Sequence, residues 1–287
     1  MLSSLAGVLF DGFAYGMLLF LLSVGLSVTL GMMNFVNLAH CSFAMVGGYA
    51  AVTLANRFGW PFLATLPVAF IVAGAIAILL ERLLFRRLYR ASDLDQCLLT
   101  IGIVFISIAA FAWFYTTEQQ STQLPAFLQG SIQAGGMSFA SYRLFLIVVA
   151  LLVTGLLIAG IEHTRFGARV RAAVDNQRMA RGLGIDVDRT FMLTFAIGGG
   201  LAGLGGALSI QVIGLDPSFA LTFLVYVLIV VSVGGLGSIG GSFAAATVLG
   251  ISDMAGKYYF PWLGAFLIYL VMVALLMWRP VGLFGRR

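Results

Sequence analysis

Asn34, Asn37, His40 and Ser42 stand close together in "GMMNFVNLAHCSF" (31–43), inside a run from Gly12 to Asn56 with no Asp, Glu, Lys or Arg. Two amides, an imidazole and a hydroxyl in otherwise apolar sequence offer hydrogen bonds without fixed charge. A buried amide lacking a partner costs a few kcal/mol, so these groups must be paired. Read as helix, the i, i+3, i+7 spacing puts Asn34, Asn37 and Cys41 on one face, with His40 on a flank and Ser42 on another side. Two uses fit: hydrogen bonds between membrane helices, worth about 0.6–2 kcal/mol each, or a polar patch beside a path through discontinuous helices. A proton relay through His40 would need an intramembrane carboxylate nearby, and this run holds none.

A second group is "GGLGSIGG" (Gly234–Gly241), where Gly235, Gly237 and Gly240 spell the dinucleotide pattern G-x-G-x-x-G. That fingerprint requires a soluble strand–turn–helix and an acidic residue about 20 positions on, whereas this copy sits in a charge-free run. Its glycines serve either close helix packing or a backbone break lining a cavity, and Gly234, Gly235, Gly237 and Ser238 are the path candidates here. Lys257, the only lysine, lacks the glycine spacing and following hydroxyl of a phosphate-binding loop. The chain is expected to bind no cofactor and to hydrolyse no nucleotide. Two distant histidines, with no H-E-x-x-H and no nucleophile–base pair, argue against a membrane enzyme. Cys41 and Cys97 lie in apolar segments and read as small hydrophobes.

The elements that must position these groups follow from composition. Hydrophobic residues make up 61% of the chain and charged residues 9%, with mean hydropathy +1.05. Soluble domains carry roughly 25% charged residues, so the bilayer is the solvent. The net charge of +5 then marks topology, and no nucleic-acid partner is expected. No Lys or Arg precedes the first apolar run, so no cleavable signal peptide is expected. Spans need about 20 apolar residues. Residues 12–56 suit two, broken near Gly31–Asn34, and 58–80, 96–117, 144–161, 190–215 and 258–278 suit one each. The run 217–252 is long for one span and short for two.

Arginines cluster at 82–90, 165–189 and 279–287. The positive-inside rule puts all three clusters in the cytoplasm, with the N-terminus and the 118–143 loop outside. Parity makes 217–252 a hairpin or a re-entrant pair of half-helices, for a total of seven or nine crossings. The fold class is an all-α polytopic transmembrane bundle of about eight spans (7–9) with broken or re-entrant segments, a single domain over 1–287 with a cytoplasmic C-terminus. Between Glu162 and Thr190 lies a long basic loop in which Val170, Ala173, Val174 and Ala180 can share the apolar face of a short helix bracketed by Gly167 and Gly182–Gly184. It serves either as a topogenic basic loop or as a docking element for a cytoplasmic partner.

Four stretches together resemble the H-type permease of the branched-chain amino-acid ABC transporter family. They are "GMMNFVNLAHCSFAMVGGYAA", the loop "RFGARVRAAVDNQRMARGLGIDVDRT" with its continuation "FAIGGGLAGLGGAL", "GGLGSIGGSFAAATVLGI" and the ending "RPVGLFGRR". They occur in order from residue 31 to 287. The resemblance implies an importer permease of the bacterial-type inner membrane. Its partners would be a second permease, two cytoplasmic ATP-binding subunits that use ATP and magnesium, and an extracytoplasmic substrate-binding protein. It implies that Gly167, Arg171, Ala172, Asp175, Asn176, Arg178 and Gly184 form the ATPase-coupling element, and it tips Asn34, Asn37, His40 and Ser42 towards the path. Cys41 replaces the glycine usual in the family's "NLAHGS", and Tyr226, a further path candidate, falls near a place where members often carry lysine. Related permeases serve urea, short amides and aromatic acids, so those substrates are the alternative to branched-chain or other hydrophobic amino acids. An ion-driven secondary transporter would need intramembrane carboxylates that the long runs lack.

Overall fold

The computed structural model describes residues 2–33, 35–89, 91–134 and 137–285. Asn34, Arg90, Arg286 and Arg287 therefore lie outside the described residues. Helices α1 (Leu2–Met33), α2 (His40–Phe58) and α3 (Phe62–Leu80) come first, and a π-helical turn (Glu81–Phe85) carries α3 into the short α4 (Arg86–Leu88). After α5 (Asp93–Tyr115) the chain makes a single 3-10 turn and an antiparallel hairpin, β1 (Ser131–Ala134) with β2 (Met137–Ala140), before α6 (Ser141–Glu162). The basic loop folds as α7 (Arg165–Asp175) and α8 (Gln177–Gly182). Helices α9 (Val187–Ser209), α10 (Phe219–Gly234), α11 (Ile239–Tyr259) and α12 (Gly264–Trp278) follow.

Five helical stretches, Leu5–Gly31, Phe62–Leu88, Asp93–Tyr115, Ser141–Glu162 and Val187–Ser209, are long and apolar enough to cross a membrane. The chain is a helical, multi-pass membrane protein. Of these, α1 and α9 are central, with 89% and 72% of their apolar windows buried, whereas only 11% of the α5 window is covered. Small residues explain the difference, because they let backbones touch where bulkier side chains would hold helices apart. On α9, Gly198 meets Gly25 of α1, Gly203 meets Gly47 of α2, and Gly206 meets the Ala44 carbonyl. At the other flank of α1, Gly12 and Gly16 lie against the α11 backbone at Ile251 and Ala246.

The first two arginine clusters share one end of the bundle, where Arg86 and Arg181 both pair with Asp188, and Arg82 reaches Met192. The residues after Arg279 lie at the same end, through contacts with the α10 terminus. The opposite end collects the 118–143 segment. There Gln119 and Gln120 bond the carbonyls and backbone of Ile213 and Leu215, Asn56 donates to the Ser121 carbonyl, and Arg143 pairs with Asp11.

The structure corrects three expectations. The charge-free runs put a span at 258–278, but α11 continues through Asp253 and Lys257 to Tyr259, and α12 begins only at Gly264. The two charges pair at i, i+4 on one helix face, with Asp253 buried in the protein. Segment 217–252, expected as a hairpin or a re-entrant pair of half-helices, is a pair of helices, α10 and α11, with its break at 235–238 in the expected glycine block. In the basic loop a single helix is replaced by two, because Asn176 leaves helical geometry and caps α8, its side chain accepting from the Met179 amide at 3.0 Å. Val170, Ala173 and Ala180 are buried as expected, but Val174 is exposed.

Backbone contact at Gly206 gives a direct test. A Cβ there would overlap the Ala44 carbonyl group, which cannot swing away as a side chain would. Gly206→Val should cost about 1–3 kcal/mol or more by overpacking, read as a lower melting midpoint of the purified protein. Gly155→Ala, whose Cβ meets nothing within 4 Å, should leave the midpoint level or raise it.

Candidate functional site

The first interruption follows α1. Residues 35–39 are not helical, and α2 starts beside Leu22, where His40 Nε2 donates to the Leu22 carbonyl at 3.1 Å. A carbonyl can only accept, so Nε2 carries the proton. Leu22 lies eleven residues before the end of α1, or about 16 Å along its axis at 1.5 Å per residue. The chain therefore turns back into the bundle as unwound backbone before resuming as helix. Its anchor is Gln96 of α5, whose Oε1 accepts from the Val36 amide at 3.0 Å and whose Nε2 donates to the Leu88 carbonyl at 3.2 Å. Phe35 packs against Phe85, Tyr89 and Phe195.

Asn37 sits in this stretch, fully buried, and neither its Oδ1 nor its Nδ2 has a hydrogen-bond partner among the described residues. The expected alignment of Asn34, Asn37 and Cys41 along one helix face fails, since Asn37 precedes the helix and Asn34 is outside the described residues. Cys41 is a free, buried thiol. Ser42 accepts from Ser107 of α5 at 2.9 Å, so it is committed to an interhelical bond.

The second interruption separates α10 from α11. Gly235 (φ +94°) and Gly237 (φ +77°) adopt left-handed backbone that favours glycine. Ser238 then starts α11 by accepting from the Gly241 amide at 3.0 Å. The free carbonyls ending α10 are met by the C-terminal segment, with Leu283 donating to Val233 at 2.7 Å and Phe284 to Gly234 at 3.2 Å. The two interruptions meet at Gly31 and Gly237, where a Cβ on Gly31 would overlap the Gly237 backbone. One turn further into α11, Ser242 donates to Ser27 of α1 at 2.9 Å.

Of the path candidates, Gly234, Gly235, Gly237 and Ser238 thus converge with the end of α1. Tyr226 does not. It lies eight residues up α10, about 12 Å from the break, and packs between the tilted rings of Phe223 and Tyr269. Sequence reasoning missed Gln96 and the Ser27–Ser242 pair, although an amide in the apolar run 96–117 is the same sign that flagged Asn37.

The loop candidates occupy α7, α8 and their flanks. Thr164 caps α7 through the Gly167 amide at 3.1 Å, and Gly167 lies against the Ile161 backbone with no room for a Cβ. Arg171 donates to the same Ile161 carbonyl. Asp175, Asn176 and Arg178 are exposed and Ala172 half-buried, and Gly184 closes the element at φ +81°. Val174, Met179 and Leu183 hold apolar surface out to solvent on this same element.

The unpaired Asn37 amide yields a test. A buried, unsatisfied polar group costs about 1–3 kcal/mol, so Asn37→Leu, which keeps the branched outline and the number of side-chain heavy atoms, should raise the melting midpoint. A fall would show that water or a bound molecule satisfies the amide in the native protein.

Comparison with known proteins bears on this architecture. Residues 8–276 match the family described as branched-chain amino acid transport system / permease component. The probable branched-chain amino acid transport permease protein LivH of Methanocaldococcus jannaschii is 30% identical, over 94% of this chain and 90% of its own. The high-affinity branched-chain amino acid transport system permease protein LivH of Escherichia coli is 26% identical over 97% and 94%. The corresponding LivM of Escherichia coli is also 26% identical, over 93% of this chain and 68% of its own. No solved structure matches. With nearly its whole length matched, the chain belongs to the family of branched-chain amino acid transport system permease components.

Proposed function

We propose that this chain is the H-type permease subunit of an ATP-binding-cassette importer for branched-chain or other hydrophobic amino acids. It forms the translocation path with a second, M-type permease, and it carries no catalytic group of its own. The observation that carries this reading is the meeting of two interrupted helix pairs at Gly31 and Gly237, with a buried, unpartnered amide on the adjoining unwound stretch. Non-helical backbone at membrane depth is tolerated where it is buried in protein or lines a cavity, and transporters place substrate at such breaks. Asn37 and the glycines around Gly237 supply polar groups to an otherwise apolar path, which suits a small zwitterion with an aliphatic side chain. The likeness to proteins named LivH and to one named LivM supports both the substrate class and the paired permeases.

In this reading the N-terminus is outside, the C-terminus is cytoplasmic, and nine helices cross the inner membrane: α1, α2, α3, α5, α6, α9, α10, α11 and α12. An extracytoplasmic binding protein delivers substrate at the end formed by 118–143. Two cytoplasmic ATPases, using ATP and magnesium, dock on α7 and α8. The exposed Val174, Met179 and Leu183 give that docking an apolar contact amid arginines. Gly167 sits where α7 touches α6, so a push on α7 reaches the bundle through backbone contact.

The test is reconstitution with the partner subunits in liposomes. Asp175→Asn and Arg178→Gln, both at exposed positions, should insert and assemble normally and keep ATP hydrolysis, while substrate uptake per ATP falls about fivefold or more, the lower end of ordinary coupling energies. Undiminished coupled uptake in both variants would refute the coupling assignment.

A further inference from the structure

Helices α3 and α6 stand apart around an apolar groove of about 740 Å³. Leu66 and Phe70 form one wall, Val153 and Leu157 the other, and Leu201 of α9 lies in the floor. The groove follows α6 from Phe145 to Ile161, sixteen residues or about 24 Å, which is most of a hydrocarbon core about 30 Å thick. At one end Phe166 and Val170 of α7 close it.

Size separates the candidate occupants. An α-helix with side chains is at least about 10 Å across, so 24 Å of it would fill roughly 1,900 Å³. That exceeds the groove's whole empty space of about 1,670 Å³, open mouth included, so a helix from another subunit would enter it only in part. An extended acyl chain is slender enough to enter and long enough to follow the groove.

Charge selects the headgroup. Arg165 and Arg169, flanking Phe166 and Val170, are exposed, and neither pairs with a carboxylate among the described residues. Arg171 is fixed at the same rim by its bond to the Ile161 carbonyl. Glu162 at this end offsets one of the three positive charges. Basic rims between membrane helices attract anionic lipid headgroups.

We propose that the α3–α6 groove binds one anionic phospholipid, its acyl chain against α6 and α9 and its phosphate held by Arg165 and Arg169. The lipid would occupy the leaflet that α7 faces and would brace α7 against the bundle. The full-length chain, purified with its partners, would be titrated with phosphatidylglycerol and with phosphatidylcholine of identical acyl chains, and bound lipid counted by native mass spectrometry. The expected result is preferential retention of phosphatidylglycerol. Arg165→Gln with Arg169→Gln should weaken that retention roughly tenfold to thirtyfold, at about fivefold per arginine, and leave phosphatidylcholine unchanged. Gly160→Phe should exclude both lipids, since a Cβ at Gly160 projects into open space and the fold has no reason to shift. Equal retention of the two lipids by the native protein, or variants without effect, would overturn the proposal. So would a photo-crosslinker at Leu156 that labels a protein helix rather than lipid.

Discussion

Backbone that leaves a helix inside a membrane must find every hydrogen bond within the protein, because hydrocarbon offers none. Residues 35–39 meet part of that demand through neighbouring elements. Gln96 satisfies the Val36 amide and reaches the end of α4 with its other atom. The carbonyls of Asn37 and Ala39 accept from the first amides of α2. Aromatic rings from the π-helical turn (Phe85), the end of α4 (Tyr89) and α9 (Phe195) close over Phe35. The unwound stretch is stable only because α5, α9 and the end of α3 enclose it.

That enclosure needs helices closer than leucine-lined surfaces permit. Glycines on α9 bring α1 and α2 to backbone contact, and glycines on α1 do the same for α11. Such contacts gain dispersion energy and make the central trio α1, α2 and α9 rigid. The peripheral helices α5 and α6 face outward with leucine, isoleucine and phenylalanine exposed, as segments solvated by lipid or by another subunit must. A rigid centre and a looser rim give the bundle one defined place where its backbone is irregular.

Much of this was legible in the sequence, for physical reasons that differ by element. Charge-free length marked α3, α5, α6 and α9 to within a few residues. The break at 235–238 was readable because Gly235, Gly237 and Ser238 are residue types that left-handed turns and helix starts favour. The break expected near Gly31–Asn34 falls where α1 ends at Met33, but its extent through 35–39 was hidden: no glycine or proline lies there, and Gln96 and the aromatic cluster that hold the stretch are distant in sequence. Asp253 and Lys257 misled because charge was taken as a sign of the membrane boundary, whereas their pairing lets helix continue past them. Asn176 was singled out as part of the basic loop, but its capping role depends on a backbone bend that composition does not encode. Tyr226 was chosen by its neighbourhood in the chain, and a helix of eight residues' reach carries it away from the break.

The bonds from Leu283 and Phe284 to the last carbonyls of α10 have a consequence for biosynthesis. Leu283 comes fifty residues after Val233, so during translation α10 and α11 are made while the carbonyls at that junction are still uncovered. The junction is completed only when the segment beyond Arg279 folds back onto it. Until then those carbonyls lack the donors that Leu283 and Phe284 supply in the finished fold.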